Sequence, residues 1–76
     1  MDKEIASQRI KGIANALGLK VQEFAAETGI NKEQMYAYSS GKLLPTWPTL
    51  ERILVRYPTI SAEYLMRGKG AILTEQ

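Results

Sequence analysis

Gly29 is the position that most constrains this chain. It stands between two short stretches, Val21–Thr28 and residues 32–40, whose apolar side chains recur at helical spacing. A glycine there supplies the left-handed backbone conformation that ends a helix and reverses the chain at little cost. Two residues on, Asn31 is a good N-cap, because its side-chain oxygen can accept a bond from a backbone N–H that the helix leaves unpaired. Phe24, Ala25, Ile30, Met35 and Tyr38 are the inward positions, and their spacing fits two helices sharing a pocket across a turn. Ala25 and Ala26 are small enough for the two axes to approach closely. Lys32, Glu33, Tyr36 and Ala37 then fall on the outer face of the second helix. An exposed helix face held at an angle by a supporting helix is a shape that fits the DNA major groove.

The remaining chain supplies partners for this unit. Ile5, Ile10, Ile13, Ala14 and Leu17 recur at helical spacing over residues 3–17, and Gly18 is placed to end that helix. Gly12 lies inside it, at a cost of about 1 kcal/mol relative to alanine. Pro45 disfavours helix at Leu44, so Lys42 to Pro45 is predicted as a loop. Thr46 is the expected N-cap of a fourth helix, with Pro48 in its first turn, where a missing N–H does no harm. Leu50, Ile53, Leu54 and Tyr57 make its buried stripe; Glu51, Arg52 and Arg56 point outward, and Pro58 ends it. Ser61 caps a last helix, Ala62–Arg67, with Glu63 in the first turn, where the helix dipole favours negative charge. Ile60, Tyr64 and Leu65 would close the core. Gly68 and Gly70 bracket Lys69, and residues 71–76 form a tail with no clear preference. The expectation is an all-α chain of five short helices without a sheet, forming one domain over residues 1–76.

Composition narrows the chemistry. The 76 residues suffice for one core and not two. Zero cysteines removes thiolate ligands and disulfides, and zero histidines removes the commonest metal ligand and general base. No base stands by Ser39 or Ser40 to activate a hydroxyl, and Glu23 and Glu27 lack a third ligand, so no catalytic group, metal or cofactor is expected. The net charge of +2, with a pI near 9.0, is compatible with nucleic acid without arguing strongly for it. No apolar run approaches the roughly 18–20 residues that span a membrane, and the first residues lack a signal-peptide core. A soluble cytoplasmic protein without a membrane partner is predicted. Tyr38, Tyr64 and Trp47 are expected to pack in the core or against loops, since a stacking platform for single strands needs several aromatics on one open face.

With these elements placed, the chain resembles the lambda-repressor-like (Cro/XRE) helix-turn-helix family over residues 9–70. The matching pieces are Arg9-Ile10-Lys11 with Leu17-Gly18-Leu19, then Glu23-Phe24-Ala25 with Gly29-Ile30-Asn31, then Tyr38-Ser39-Ser40-Gly41-Lys42. They continue with the run from Pro45 to Ile53 and close with that from Ile60 to Gly70. Their order and spacing carry the resemblance; no single piece does. It implies a compact five-helix bundle and a transcriptional regulator that binds operator DNA, usually as a twofold homodimer. The family's recognition helix matches residues 32–40. Carried over by position, Lys32, Glu33 and Tyr36 fall where members touch base edges, with Ala37 beside them and Gln34 on the flank. Asn31, Ser40 and Lys42 fall where phosphate is held, as does Lys20 at the start of helix two.

The chain departs from the family at three places. Val21 stands where a glutamine is common, and Ala14 and Ser39 replace both partners of a frequent Arg–Glu pair. Glu33 puts a carboxylate on the groove-facing side, where it suits a cytosine amino group and repels phosphate. Two functions follow as expectations. One is a sequence-specific double-stranded DNA-binding regulator, with the dimer surface on the last helix and the apolar tail residues 71–73. The other is a protein-interaction module on the same fold, antitoxin-like or an anti-regulator, with weak DNA affinity.

Overall fold

Each helix begins where the chain offers its start a partner or a preformed turn. The structure, a computed structural model, describes residues 1–74; Glu75 and Gln76 of the predicted tail lie outside the described residues. Five helices appear: α1 (Lys3–Ala16), α2 (Val21–Thr28), α3 (Lys32–Ser39), α4 (Trp47–Arg56) and α5 (Ala62–Arg67). Asp2 caps α1 by accepting the Ile5 N–H at 2.8 Å, and Ser61 caps α5 by accepting the Tyr64 N–H at 3.2 Å. At α4 the expected cap differs. The Thr46 hydroxyl lies 3.2 Å from that of Thr49 and bonds no backbone N–H, so the start of α4 relies on Pro48, whose fixed φ suits a first turn. Helices α1 and α3 each stop one residue short of expectation, with Leu17 and Ser40 as their C-caps.

The core is a single cluster drawn from every helix. Ile10, Ile13, Phe24, Met35, Ile53 and Leu65 are fully buried at its centre, with Ala14, Ala25, Ile30, Tyr38, Leu50 and Ile60 around them. Truncating a buried aromatic such as Phe24 to alanine would cost about 3–5 kcal/mol. Several expectations need correction. Ile5 is exposed, while its neighbours Ala6 and Ser7 take the inward side of α1. Ala26 also faces solvent, and the buried side of α2 is Phe24, Ala25 and Thr28. Leu54, Tyr57 and Tyr64 are only partly buried, and Trp47 at the start of α4 is largely exposed.

Gly12 has a packing reason. A Cβ built there would sit 2.7 Å from the Tyr64 hydroxyl, so the missing side chain is the space into which α5 places that ring. The C-terminal segment is committed as well. Ile60 and Leu73 form an isolated antiparallel bridge, the Ser61 N–H donates to the Ile72 carbonyl at 2.8 Å, and the Thr74 N–H donates to the Thr59 carbonyl at 2.6 Å. Ile72 packs on the core.

Two arginines fasten α4 to the far end of α2. Arg52 donates to the Gly29 carbonyl at 2.7 Å, while Arg56 donates to the Glu27 carbonyl at 3.1 Å and pairs with the Glu27 carboxylate. Cations at the carboxyl end of a helix satisfy its free carbonyls and its dipole. Arg56 also lies 4.7 Å above the Tyr57 ring. Burial, reinforced by the Glu27 charge, holds the Tyr57 hydroxyl above its ordinary pKa of 10.0, with Arg56 opposing.

Candidate nucleic-acid interface

The α2–turn–α3 unit takes its form from three local devices. Gly29 adopts φ 72 at the end of α2, which only glycine does freely. Asn31 then starts α3 by accepting both the Glu33 N–H at 2.8 Å and the Gln34 N–H at 3.2 Å on one side-chain oxygen. At the other end, the Ser7 hydroxyl on α1 donates to the buried Ser39 carbonyl, tying α3 back to the body. The inner side of α3 is thus consumed by Met35, Tyr38 and Ser39, and its outer side is left open.

On that outer side Lys32, Glu33, Gln34 and Tyr36 are exposed and Ala37 is half-buried. Glu33, Tyr36, Ala37, Ser40 and Lys42 line one shallow concavity along the helix. Asn31 and Gln34 border a neighbouring depression with Gly29, Thr49 and Arg52. Lys32, the first residue of α3, and Lys20, at the start of α2, line neither. Eight of the nine predicted residues therefore lie on or beside the ridge that α3 forms, and Lys20 is the outlier. Those eight include two lysines, Lys32 and Lys42, against the single carboxylate of Glu33.

Glu33 has a structural role independent of any ligand. It lies in the first turn of α3, as Glu4, Glu23 and Glu63 lie in the first turns of α1, α2 and α5. A carboxylate there is worth about 0.3–1 kcal/mol against the helix dipole. Glu23 goes further, accepting the Lys20 backbone N–H at 2.8 Å.

The backbone donors just after α3 are engaged within the chain. The N–H groups of Ser40, Gly41 and Lys42 donate to the carbonyls of Tyr36, Tyr38 and Ala37 at 2.9, 3.3 and 2.9 Å. The N–H groups of Lys20, Glu33 and Gln34 are also engaged, so at these positions an anion would be met by side chains: the Lys20 and Lys42 ammoniums and the Asn31 amide nitrogen. The Ser40 hydroxyl donates to the Ala37 carbonyl at 3.3 Å, so it would meet an anion only by turning its O–H away from that carbonyl.

Two features beyond the predicted set adjoin the ridge. Arg52 reaches it from α4, and no local pattern marks a residue so distant in sequence. Gln8 and Lys11 of α1 share a polar hollow with Ser40 and Gly41, which extends the ridge toward α1. Among the described residues no helix is long and apolar enough to cross a membrane. No family model, curated protein or solved structure matches the chain.

Proposed function

We propose that this chain is a sequence-specific double-stranded DNA-binding protein, a small cytoplasmic transcriptional regulator of the Cro or repressor kind that works as a twofold homodimer. The observation that supports it most is the open outer side of α3. The described part of the C-terminal segment is joined to Thr59 and Ser61. Lys20, Lys42, Asn31 and Ser40 would fix position on phosphates, and Lys32, Glu33, Gln34 and Tyr36, with Ala37 beside them, would meet base edges. The proposed activity is binding alone, without chemistry on the DNA, and calls for no metal or cofactor. Half-sites about 34 Å apart would suit the two reading helices of a dimer.

A salt titration of duplex binding tests the reading, since each neutralised phosphate contributes a log–log slope of about −0.9. Selection of bound duplexes from a random pool is expected to yield a palindromic consensus. On that consensus Lys32→Ala is expected to lose about 1–3 kcal/mol if Lys32 meets a guanine. A second reading, the protein-interaction module, draws support from the uncharged apolar loop after α3; it expects almost no salt slope and no consensus.

A further inference from the structure

Ile5, Gln8, Arg9 and Gly12 recur three and four residues apart, so they share one face of α1. Ile5, Gln8 and Arg9 line a hollow of about 340 Å³ together with Tyr64 of α5 and Gly68 just after it. The Tyr64 hydroxyl lies over Gly12, one turn beyond Gln8 and Arg9 on the same face. The volume is near the lower end of the sizes that hold small ligands. This hollow belongs to the α1–α5 side of the molecule, and none of the residues assigned to DNA lines it.

Arg9 is the one arginine drawn partly inside; Arg52, Arg56 and Arg67 are exposed. Two contacts hold it. Its Nη1 donates to the Leu65 carbonyl at 3.3 Å, and its guanidinium lies against Gly68, with Nη2, Cζ and Nε 2.7, 3.1 and 3.1 Å from where a Cβ would stand. Glycine thus serves twice at position 68, through its φ of 71 and through the seat it gives the arginine. Among the described residues the Nε and Nη2 hydrogens meet no acceptor, and the Tyr64 hydroxyl has no hydrogen-bond partner. No carboxylate lines the hollow. Glu4, the only one within α1, lines a different hollow with Lys11 and Ser40, and Glu63, the only one in α5, pairs with Arg67 at 3.8 Å.

We infer that this hollow binds a carboxylate carried on a small apolar body. The Nε–Nη2 edge of a guanidinium meets both oxygens of a carboxylate at once. Leu65 and Gly68 already hold the Arg9 side chain in place, so little of its freedom is lost on binding. The Tyr64 hydroxyl supplies a further donor from the Gly12 end. Ile5, 39% exposed on the same face of α1, gives the apolar body a surface to cover. One fixed cation beside an apolar wall suits such a monoanion better than a phosphate, which gathers several cations or backbone N–H groups. The groove that holds Arg52 and Arg56 lacks this character, because Glu27 and Glu51 line it too. Two sources share the chemistry, a small-molecule acid and the C-terminal end of a peptide. The site stands apart from the DNA-binding reading and does not rest on it.

The test follows the whole chain, without DNA, by ¹H–¹⁵N correlation NMR at about pH 6, where the acids used are ionised. Sodium hexanoate is titrated at constant ionic strength and compared with acetate, hexanamide, inorganic phosphate and N-acetyl-leucine, which ends as a peptide does. Hexanoate should move the Arg9 Nε–Hε and Gly68 resonances saturably, half-saturating below about 10 mM, with acetate at least about fivefold weaker and hexanamide about tenfold weaker. Arg9→Lys keeps the charge and loses the fork, and Gly68→Ala puts a methyl where the guanidinium lies; each should weaken hexanoate at least about fivefold with an unchanged helical circular dichroism spectrum. N-acetyl-leucine binding tighter than hexanoate supports the site with a peptide end as its source, and the reverse order supports it with a small acid. Hexanoate that fails to saturate by about 50 mM behaves as on any surface arginine and overturns the inference. Equal affinity for hexanamide, tighter binding of phosphate, or shifts confined to Lys32 and Lys42 overturn it as well. These comparisons use the unaltered chain and hold whether or not a variant folds; hexanoate binding that is unchanged in both folded variants also overturns it.

Discussion

Replacing Asn31 separates the helix cap from the contact proposed for the same residue. Its side-chain oxygen receives two N–H groups at the start of α3, from Glu33 at 2.8 Å and Gln34 at 3.2 Å. Asn31→Ala removes both bonds at an exposed site where water replaces them, and caps of this type are worth about 1 kcal/mol. For a domain of this size that corresponds to a fall of about 4–8 °C in Tm. Asn31→Asp keeps an oxygen in the same place and adds a charge at the positive end of the helix, worth about 0.3–1 kcal/mol in its favour. It is therefore expected to melt at or above the wild-type temperature. Binding should move the opposite way. A carboxylate about 5 Å from a phosphate costs roughly 1 kcal/mol in water, and the amide donor is lost with it, so low-salt affinity for duplex should drop about fivefold or more. The deficit should shrink in several hundred millimolar salt as the repulsion is screened. Thermal melts and fluorescence anisotropy on a labelled duplex read the two effects. Should Asn31→Asp melt as low as Asn31→Ala, the cap is wrongly assigned. Should it bind duplex like the wild type at low salt, the start of α3 does not approach phosphate.

Other consequences are open to measurement. Gly12→Ala places a methyl 2.7 Å from the Tyr64 hydroxyl and should destabilise by about 1–3 kcal/mol. In a Tyr64→Phe background the nearest atoms are at 3.6 and 3.8 Å, so the same change should instead gain up to about 1 kcal/mol of helix propensity, a reversal of sign visible in urea melts. Arg52→Ala frees the Gly29 carbonyl and should cost about 0.5–1.5 kcal/mol, whereas Arg56→Ala breaks a solvent-exposed ion pair and its loss should shrink with added salt. Because burial and Glu27 hold the Tyr57 pKa above 10.0, the stabilisation tied to its protonated form is whole below pH 10 and is lost as pH rises through the folded value. Alkaline melts should show that decline in the wild type and less of it in Tyr57→Phe, with delayed phenolate absorbance marking the residue.

What could be foreseen from residues alone divides by range. Gly18, Gly29, Asn31, Ser61 and Pro58 act on their immediate neighbours, so the helix limits they set were legible to within a residue. The outer face of α3 was equally legible, since helical spacing fixes which side Met35 and Tyr38 leave free. Errors arose where a distant segment decides. The void at Gly12 is shaped by Tyr64, and the tail is held by Thr59 and Ser61. Ala26 missed the α3 contact by one step of helical rotation. Trp47 is expected to pack in the core or against a loop, but the first residue of α4 projects beyond the cluster that buries Leu50 and Ile53.

The grip of Arg52 and Arg56 on the end of α2 has a consequence for how such a protein would change its target. Both carbonyls they hold, at Glu27 and Gly29, lie just ahead of the turn that aims α3. The pitch of α3 is thus trimmed from behind by a helix on the other side of the turn. On the proposed DNA-binding reading, variants with altered duplex preference should include changes at these two arginines as well as on the outer side of α3.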